Sequence, residues 1–193
     1  HTLTPRQETE VTVDIIVNEN PHYEGRILAI GTGTGAIAIS LDKALEKANV
    51  TAFDVSLEAL KIAKENSKLI DAQVNFEFQD ILNSTYSGEI FDIIVSNPPY
   101  VLESEKELMQ QNVLDYEPHL AIFVEDNDPL LFYYNILKFA SSYLNEKGKI
   151  YFEINENFGK QTIELMKKFG YAEITVIKDM QGKQRMIKAI KDQ

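Results

Sequence analysis

The sequence predicts an α/β fold in which a mostly parallel sheet is covered by helices on both faces and closed at one edge by an antiparallel hairpin. Three observations carry this expectation. Short apolar segments alternate with segments of helical period along the whole chain. The apolar segments are near-continuous runs rather than in–out alternations, as strands buried on both faces are. The last two extended segments, residues 171–178 and 185–190, are separated by little more than Asp179 to Lys183, and Gly182 there can take the positive φ of a tight turn.

Arg26 to Ile30 is the first predicted strand, and a helix from about Gly35 follows with Ile37, Leu41, Ala44 and Leu45 at helical spacing. Asn49 to Asp54 is the second strand. Ser56 can cap the next helix, with Glu58 in its first turn and Leu60 and Ala63 facing inward. Val74 to Gln79 and Phe91 to Ser96 are the third and fourth strands. After a polar stretch at 103–117, a helix is expected from about Asp128 to Leu144, then a turn at Glu146, Lys147 and Gly148, then a fifth strand from Lys149 to Ile154. Thr162, Leu165, Met166 and Phe169 make a helical stripe that stops at Gly170, a good C-terminal cap.

With 193 residues, 44% of them hydrophobic and 25% charged, the chain suits one domain with a sizeable core. No apolar run approaches the roughly 20 residues that span a bilayer, and there is no basic-then-apolar leader, so the expectation is a cytoplasmic monomer without membrane contact. The absence of cysteine excludes thiolate metal sites, disulfides and cysteine nucleophiles, and the three histidines (His1, His22, His119) lack ligand-like spacing, so no metal is expected. A net charge of −11 spread along the chain disfavours direct nucleic-acid binding, which rests on Lys and Arg contacts to phosphates. The clearest basic cluster, Lys183 with Arg185 and Lys188, reads first as a solvated strand end.

In a parallel sheet, ligands sit at the C-terminal strand ends. There the first strand runs into Gly31, Thr32, Gly33, Thr34 and Gly35, whose glycines permit a tight turn and close approach of a ligand, although a plain strand-to-helix turn reads the same way. Asp54 ends the second strand where a carboxylate would accept from both hydroxyls of an adenosine ribose; it could equally cap a helix beside Ser56. Asp80 with Ile81, after the third strand, could meet an adenine amine and ring face; a plain loop carboxylate reads the same way. The fourth strand delivers Asn97, Pro98, Pro99 and Tyr100. Both prolines lack an N–H and hold their predecessors extended, so the segment offers acceptors without competing donors. A planar NH2 group can give one hydrogen to the Asn97 side-chain oxygen and the other to the Pro98 carbonyl, while Tyr100 covers its flat face. Nicotinamide cofactors and S-adenosylmethionine both suit the glycine loop; an acceptor of NH2 donors suits amine methylation and has no use in hydride transfer.

Several segments resemble, in chain order, the release factor glutamine methyltransferases of the HemK/PrmC family: Thr4-Pro5-Arg6-Gln7-Glu8-Thr9-Glu10, the loop from Gly31 to Ala38, Asn97-Pro98-Pro99-Tyr100, Glu117-Pro118 with Ala121, and Lys178-Asp179 with Gly182, Lys183 and Arg185. Asn-Pro-Pro-Tyr alone is shared with adenine amino-methyltransferases, so the combination is the specific signal. Gln7 replaces the family's usual proline, and Ala29 stands where an acidic residue commonly precedes the glycine loop.

The resemblance implies a Rossmann-like, seven-stranded class I methyltransferase fold, S-adenosyl-L-methionine as donor, and methylation of the glutamine amide in the Gly-Gly-Gln loop of peptide-chain release factors. It also implies that residues 1–193 are the catalytic domain, without the family's small helical N-terminal domain. Asn97, Pro98, Pro99 and Tyr100 become the candidate catalytic residues; Gly31, Thr32, Gly33, Thr34, Gly35, Asp54, Asp80, Ile81 and Asn97 the candidate cofactor residues; Glu117 and Arg6 are candidates for the protein-substrate side, with a plain surface charge as the alternative reading of each. The alternatives are a nucleic-acid adenine methyltransferase, a nicotinamide-dependent oxidoreductase and a non-catalytic S-adenosylmethionine-binding adaptor.

Overall fold

A computed structural model describes residues 7–99, 101–102, 123–124, 127–179 and 181–192. Seven strands form one sheet in the order β3-β2-β1-β4-β7-β9-β8: β1 Arg26–Ile30, β2 Asn49–Asp54, β3 Asn75–Phe78, β4 Phe91–Ser96, β7 Leu144–Glu153, β8 Tyr171–Lys178 and β9 Gln184–Lys191. The strands from β3 to β7 pair in parallel, and β9 runs antiparallel to both β7 and β8, as the hairpin reading expected. A separate two-residue ladder pairs β5 Val101–Leu102 with β6 Phe123–Val124. Among the described residues no helix is long and apolar enough to cross a membrane.

The sheet separates two apolar layers because successive side chains point to opposite faces. Leu28, Ile30, Ile94, Phe152 and Ile187 pack on one face against helix α4, Leu131–Tyr143, through Tyr133, Ile136, Leu137 and Ala140, and against Met166 of helix α5, Gly159–Lys168. Ile27, Ala29, Ile93, Val95 and Tyr151 pack on the other face against Ala38 and Leu41 of helix α2, Ala36–Ala44. Within α2 the buried stripe is Ala38, Ile39 and Leu41, and Ala44 faces water, so the buried face is rotated from the predicted one. Helix α3, Leu57–Ile70, covers the sheet beside β2 and β3; Ser56 caps it, accepting from the Ala59 N–H at 3.2 Å.

Two elements correct the sequence reading. Helix α1, Gln7–Glu19, was not expected, and Gln7 opens it, at a first-turn position where proline is also well tolerated. Its Val13 and Ile16 are buried in the second layer, and its end is fastened to the sheet: Lys149 Nζ donates to Asn20 Oδ1 at 2.6 Å, the Tyr151 hydroxyl donates to Glu19 Oε2 at 3.0 Å, and Lys188 pairs with Glu19. The other correction is β7, which begins at Leu144 and absorbs the expected turn. Between the Phe91–Leu144 and Ile93–Lys149 pairs the register shifts, with Lys147 at φ 60°.

Candidate functional site

Every described candidate lies along one edge of the sheet, at the C-terminal ends of the parallel strands. The register fixes this: Ile30 pairs with Phe53 on one side and Ser96 on the other, and Asp54 pairs with Phe78. Asp80, Asp54, the glycine loop and Asn97 therefore lie at the ends of neighbouring strands in the order β3, β2, β1, β4, at about 4.8 Å per strand. The hydroxyl of Ser96 donates to the Ile30 carbonyl at 2.8 Å and ties the end of β4 to β1 directly beneath both the loop and Asn97. The sequence reading gave Ser96 no role; its place next to Asn97 was the available signal.

The loop is built by its glycines. Gly31, Gly33 and Gly35 sit at φ 70°, 55° and 84°, in the left-handed region that costs other residues about 1–2 kcal/mol. The N–H groups of Gly31 and Thr32 both donate to the Phe53 carbonyl, at 2.9 and 3.0 Å, which folds the loop back over β2. Asn66 of α3 donates from its side chain to the Thr34 carbonyl at 2.9 Å. Asp54 holds the loop from the other side: Oδ2 accepts from the Gly33 N–H and Oδ1 from the Ser56 N–H, each at 2.9 Å. The plainer reading of Asp54, a residue that organises the start of α3, is thus correct as far as it goes, and each oxygen keeps a further lone pair.

A nucleoside cofactor with a charged tail fits these residues. A Cβ built on Gly31 or Gly33 would meet nothing within 4 Å, so the space against the loop is open. At Gly35 the same atom would stand 2.9 Å from Ile39 Cδ1 and 3.1 Å from Ala63 Cβ, so this glycine serves helix packing. The Thr32 hydroxyl is buried and, among the described residues, hydrogen bonds to none. Beyond β3, Asp80 caps a 3₁₀ turn, Ile81–Asn83, accepting from the Leu82 N–H and the Asn83 side chain, each at 2.9 Å, while Ile81 packs on the core. Val55 and Phe78, 51% and 53% exposed, flank Asp54 with uncovered apolar surface that the sequence reading passed over.

On the β4 side, Pro98 is buried and Asn97 and Pro99 are half-buried. Tyr100, like Arg6, Glu117, Pro118 and Ala121, lies outside the described residues. One strand further, Glu153 ends β7 at 4% exposure, its carbonyl accepting from the Tyr133 hydroxyl at 2.9 Å. The basic cluster is matched by carboxylates: Lys183 with Glu156 at 3.0 Å, Arg185 with Asp179 at 2.9 Å, and Lys188 with Glu19. The Arg185 hydrogen bond, more than any other cause, holds the Asp179 carboxyl below its ordinary range.

Residues 7–120 match the family model of the methyltransferase small domain. The chain is 51% identical over 188 residues to the release factor glutamine methyltransferase of Bacteroides thetaiotaomicron and 49% identical over 192 residues to that of Flavobacterium psychrophilum; each match covers 97% of this chain and 67% of the relative. Among solved structures, a methyltransferase from Pyrococcus furiosus superposes with a TM-score of 0.68 at 21% identity, over 95% of this chain and 83% of that one. Ribosomal protein L11 methylase from Lactobacillus delbrueckii subsp. bulgaricus does so with 0.69 at 18%, over 98% and 81%. The fold is thus that of the class I methyltransferases, and at this identity over nearly all its length the chain belongs to the release factor glutamine methyltransferase family.

Proposed function

We propose that this chain transfers a methyl group from S-adenosyl-L-methionine to the side-chain amide nitrogen of the glutamine in the Gly-Gly-Gln loop of peptide-chain release factors. The observation that carries the reading is the placement of the Asn97-Pro98-Pro99 hook on β4, one strand from an open glycine loop, in a chain with these relatives. The cofactor supplies an electrophilic sulfonium methyl group. Gly31, Thr32, Gly33, Thr34 and Gly35 would hold its tail, Asp54 the ribose through its free lone pairs, and Asp80 with Ile81 the adenine.

An amide nitrogen is a poor nucleophile because its lone pair is delocalised into the carbonyl, so the acceptor site must orient it and favour the positive charge it gains. The side-chain oxygen of Asn97 and the carbonyl of Pro98 accept its two N–H groups; both bonds strengthen as charge develops on nitrogen, and a fixed orientation removes most of the entropic cost of encounter. Once the N–C bond forms and the C–S bond breaks, the nitrogen releases a proton to water. Carboxylate pairing of the three basic residues on the hairpin, with a net charge of −11, favours a protein substrate over a duplex or ribosomal RNA.

The test is transfer of labelled methyl to purified release factor and to a form whose loop glutamine is replaced; label should depend on that glutamine. Asn97→Ala should lower kcat by about 10²-fold or more while cofactor affinity stays within a few-fold. Parallel loss of both would place Asn97 in folding or cofactor binding, and label on RNA alone would overturn the substrate.

A further inference from the structure

The motif at residues 178–185 plays no part in the chemistry above, yet it forms a densely bonded turn at the working edge of the sheet. Asp179 Oδ1 accepts from the N–H groups of Gln181 and Lys183, and Oδ2 from Arg185 Nε, all at 2.9 Å. The Asp179 N–H donates to the Lys183 carbonyl at 2.9 Å, and the Gly182 N–H to the Asp179 carbonyl at 3.0 Å, with Gly182 at φ 82°. A hairpin closes with far less. The turn is also fastened to its surroundings: the Ile154 N–H donates to the Arg185 carbonyl at 2.9 Å, and Lys183 reaches Glu156 in the loop after β7 at 3.0 Å.

Its place gives the rigidity a use. The last β7–β9 pair is Glu153 with Met186, so the hairpin continues past the end of β7 and stands above the C-terminal edge. Strand order divides that edge at β4: the cofactor candidates other than Asn97 lie at the ends of β1, β2 and β3, and the other half belongs to β7, β9 and β8. A polypeptide that presents its amide at Asn97, beside the cofactor half, has the β7–β9–β8 half of the edge along which to run. On that half the exposed residues Gln181, Gly182 and Lys183 form a crest, and a Cβ at Gly182 would meet nothing within 4 Å.

We propose that the β8–β9 turn is a preformed shelf for the polypeptide flanking the target glutamine, and that Asp179 is the positioning residue that holds the shelf in place. This rests on the reading of the preceding section. A shelf already rigid before encounter spares the complex the cost of ordering it. The contribution is to binding of the protein substrate and not to the chemical step.

The experiment compares Asp179→Asn, which keeps the size but loses the anion facing Arg185, with Gln181→Trp, which adds bulk to the crest and leaves the clasp intact. Each is assayed with intact release factor and with a short peptide containing Gly-Gly-Gln, alongside cofactor affinity by calorimetry. The expected result is a KM for intact factor raised about fivefold or more in both, with kcat within about twofold of wild type and peptide turnover and cofactor affinity unchanged. A KM within about twofold of wild type in the folded variants overturns the proposal, as does an equal loss with peptide and factor. Should Asp179→Asn fail to fold, Gln181→Trp decides alone. A wild-type chain that labels neither substrate refutes the methyltransferase reading, whereas normal wild-type turnover with unaffected variants refutes only the shelf.

Discussion

Asp54 is bonded in two directions, and its removal should register in two separable measurements. Its carboxylate accepts from the N–H groups of Gly33 and Ser56, and Asp54→Ala leaves both donors without that acceptor. A hydrogen bond to a charged group contributes about 1.5–3 kcal/mol when buried; Asp54 is half-buried, so about 1 kcal/mol per bond is the better figure, or about 2 kcal/mol in all. For a domain of this size about 1 kcal/mol moves Tm by about 2–4 °C, so Asp54→Ala should melt about 4–8 °C below wild type without ligand. If the remaining lone pairs hold both ribose hydroxyls, cofactor affinity falls separately by about 10²-fold, the equivalent of about 3 kcal/mol. Asp54→Asn keeps one acceptor oxygen and turns the other into a donor, so it should lose about half of each effect. Scanning calorimetry of the free proteins reads the first quantity and titration with the demethylated cofactor reads the second. A melting point within about 1 °C of wild type would refute the strap across the loop; unchanged affinity would refute the ribose assignment and leave the strap standing.

The glycines should separate in the same way. Gly35→Ala combines left-handed strain with an overlap against Ile39 and Ala63, and should cost about 2–4 kcal/mol in urea unfolding. Gly31→Ala meets no atom and should cost only about 1 kcal/mol, its larger effect appearing in cofactor affinity; equal unfolding midpoints would contradict this. Burial is the largest cause raising the hydroxyl pKa of Tyr23, Tyr151 and Tyr171, with Asp92 adding to it at Tyr23 and Glu19 at Tyr151. Because these folded values lie above the unfolded value near 10, the stabilisation is complete below about pH 10 and is lost as pH rises toward the folded values, at about 1.4 kcal/mol per pH unit per tyrosine. Tyr171→Phe should flatten that alkaline slope by one proton. At neutral pH it should unfold no more easily than wild type, because among the described residues the buried hydroxyl has no partner to lose.

The parallel half of the fold was legible because its strands are continuous apolar runs that need no context to be recognised, and the glycine loop, Asp54 and Asn97 lie where those strands end. Helix α1 was illegible for a physical reason. Its stretch Val11-Thr12-Val13-Asp14-Ile15-Ile16-Val17 is dominated by β-branched residues, whose intrinsic preference is for strands; burial of Val13 and Ile16 and the fastening of Glu19 and Asn20 to β7 and β9 override that preference from more than a hundred residues away. The start of β7 has a similar cause. Lys191 Nζ donates to the carbonyls of Ala140, Ser141 and Leu144 at 3.2, 2.9 and 2.7 Å, satisfying the end of α4 so that the strand begins at once, and no local pattern around Glu146-Lys147-Gly148 records a partner near the other end of the chain. Asp54 illustrates the same limit within the site. Its spacing from the glycine loop suggests a ligand and its neighbour Ser56 suggests a cap; in a sequence, which shows one residue at a time, these are alternatives, whereas a carboxylate with two lone pairs on each oxygen has room for both. A substitution that tests one role therefore always perturbs the other, and the two can be parted only by measuring the protein with and without its cofactor.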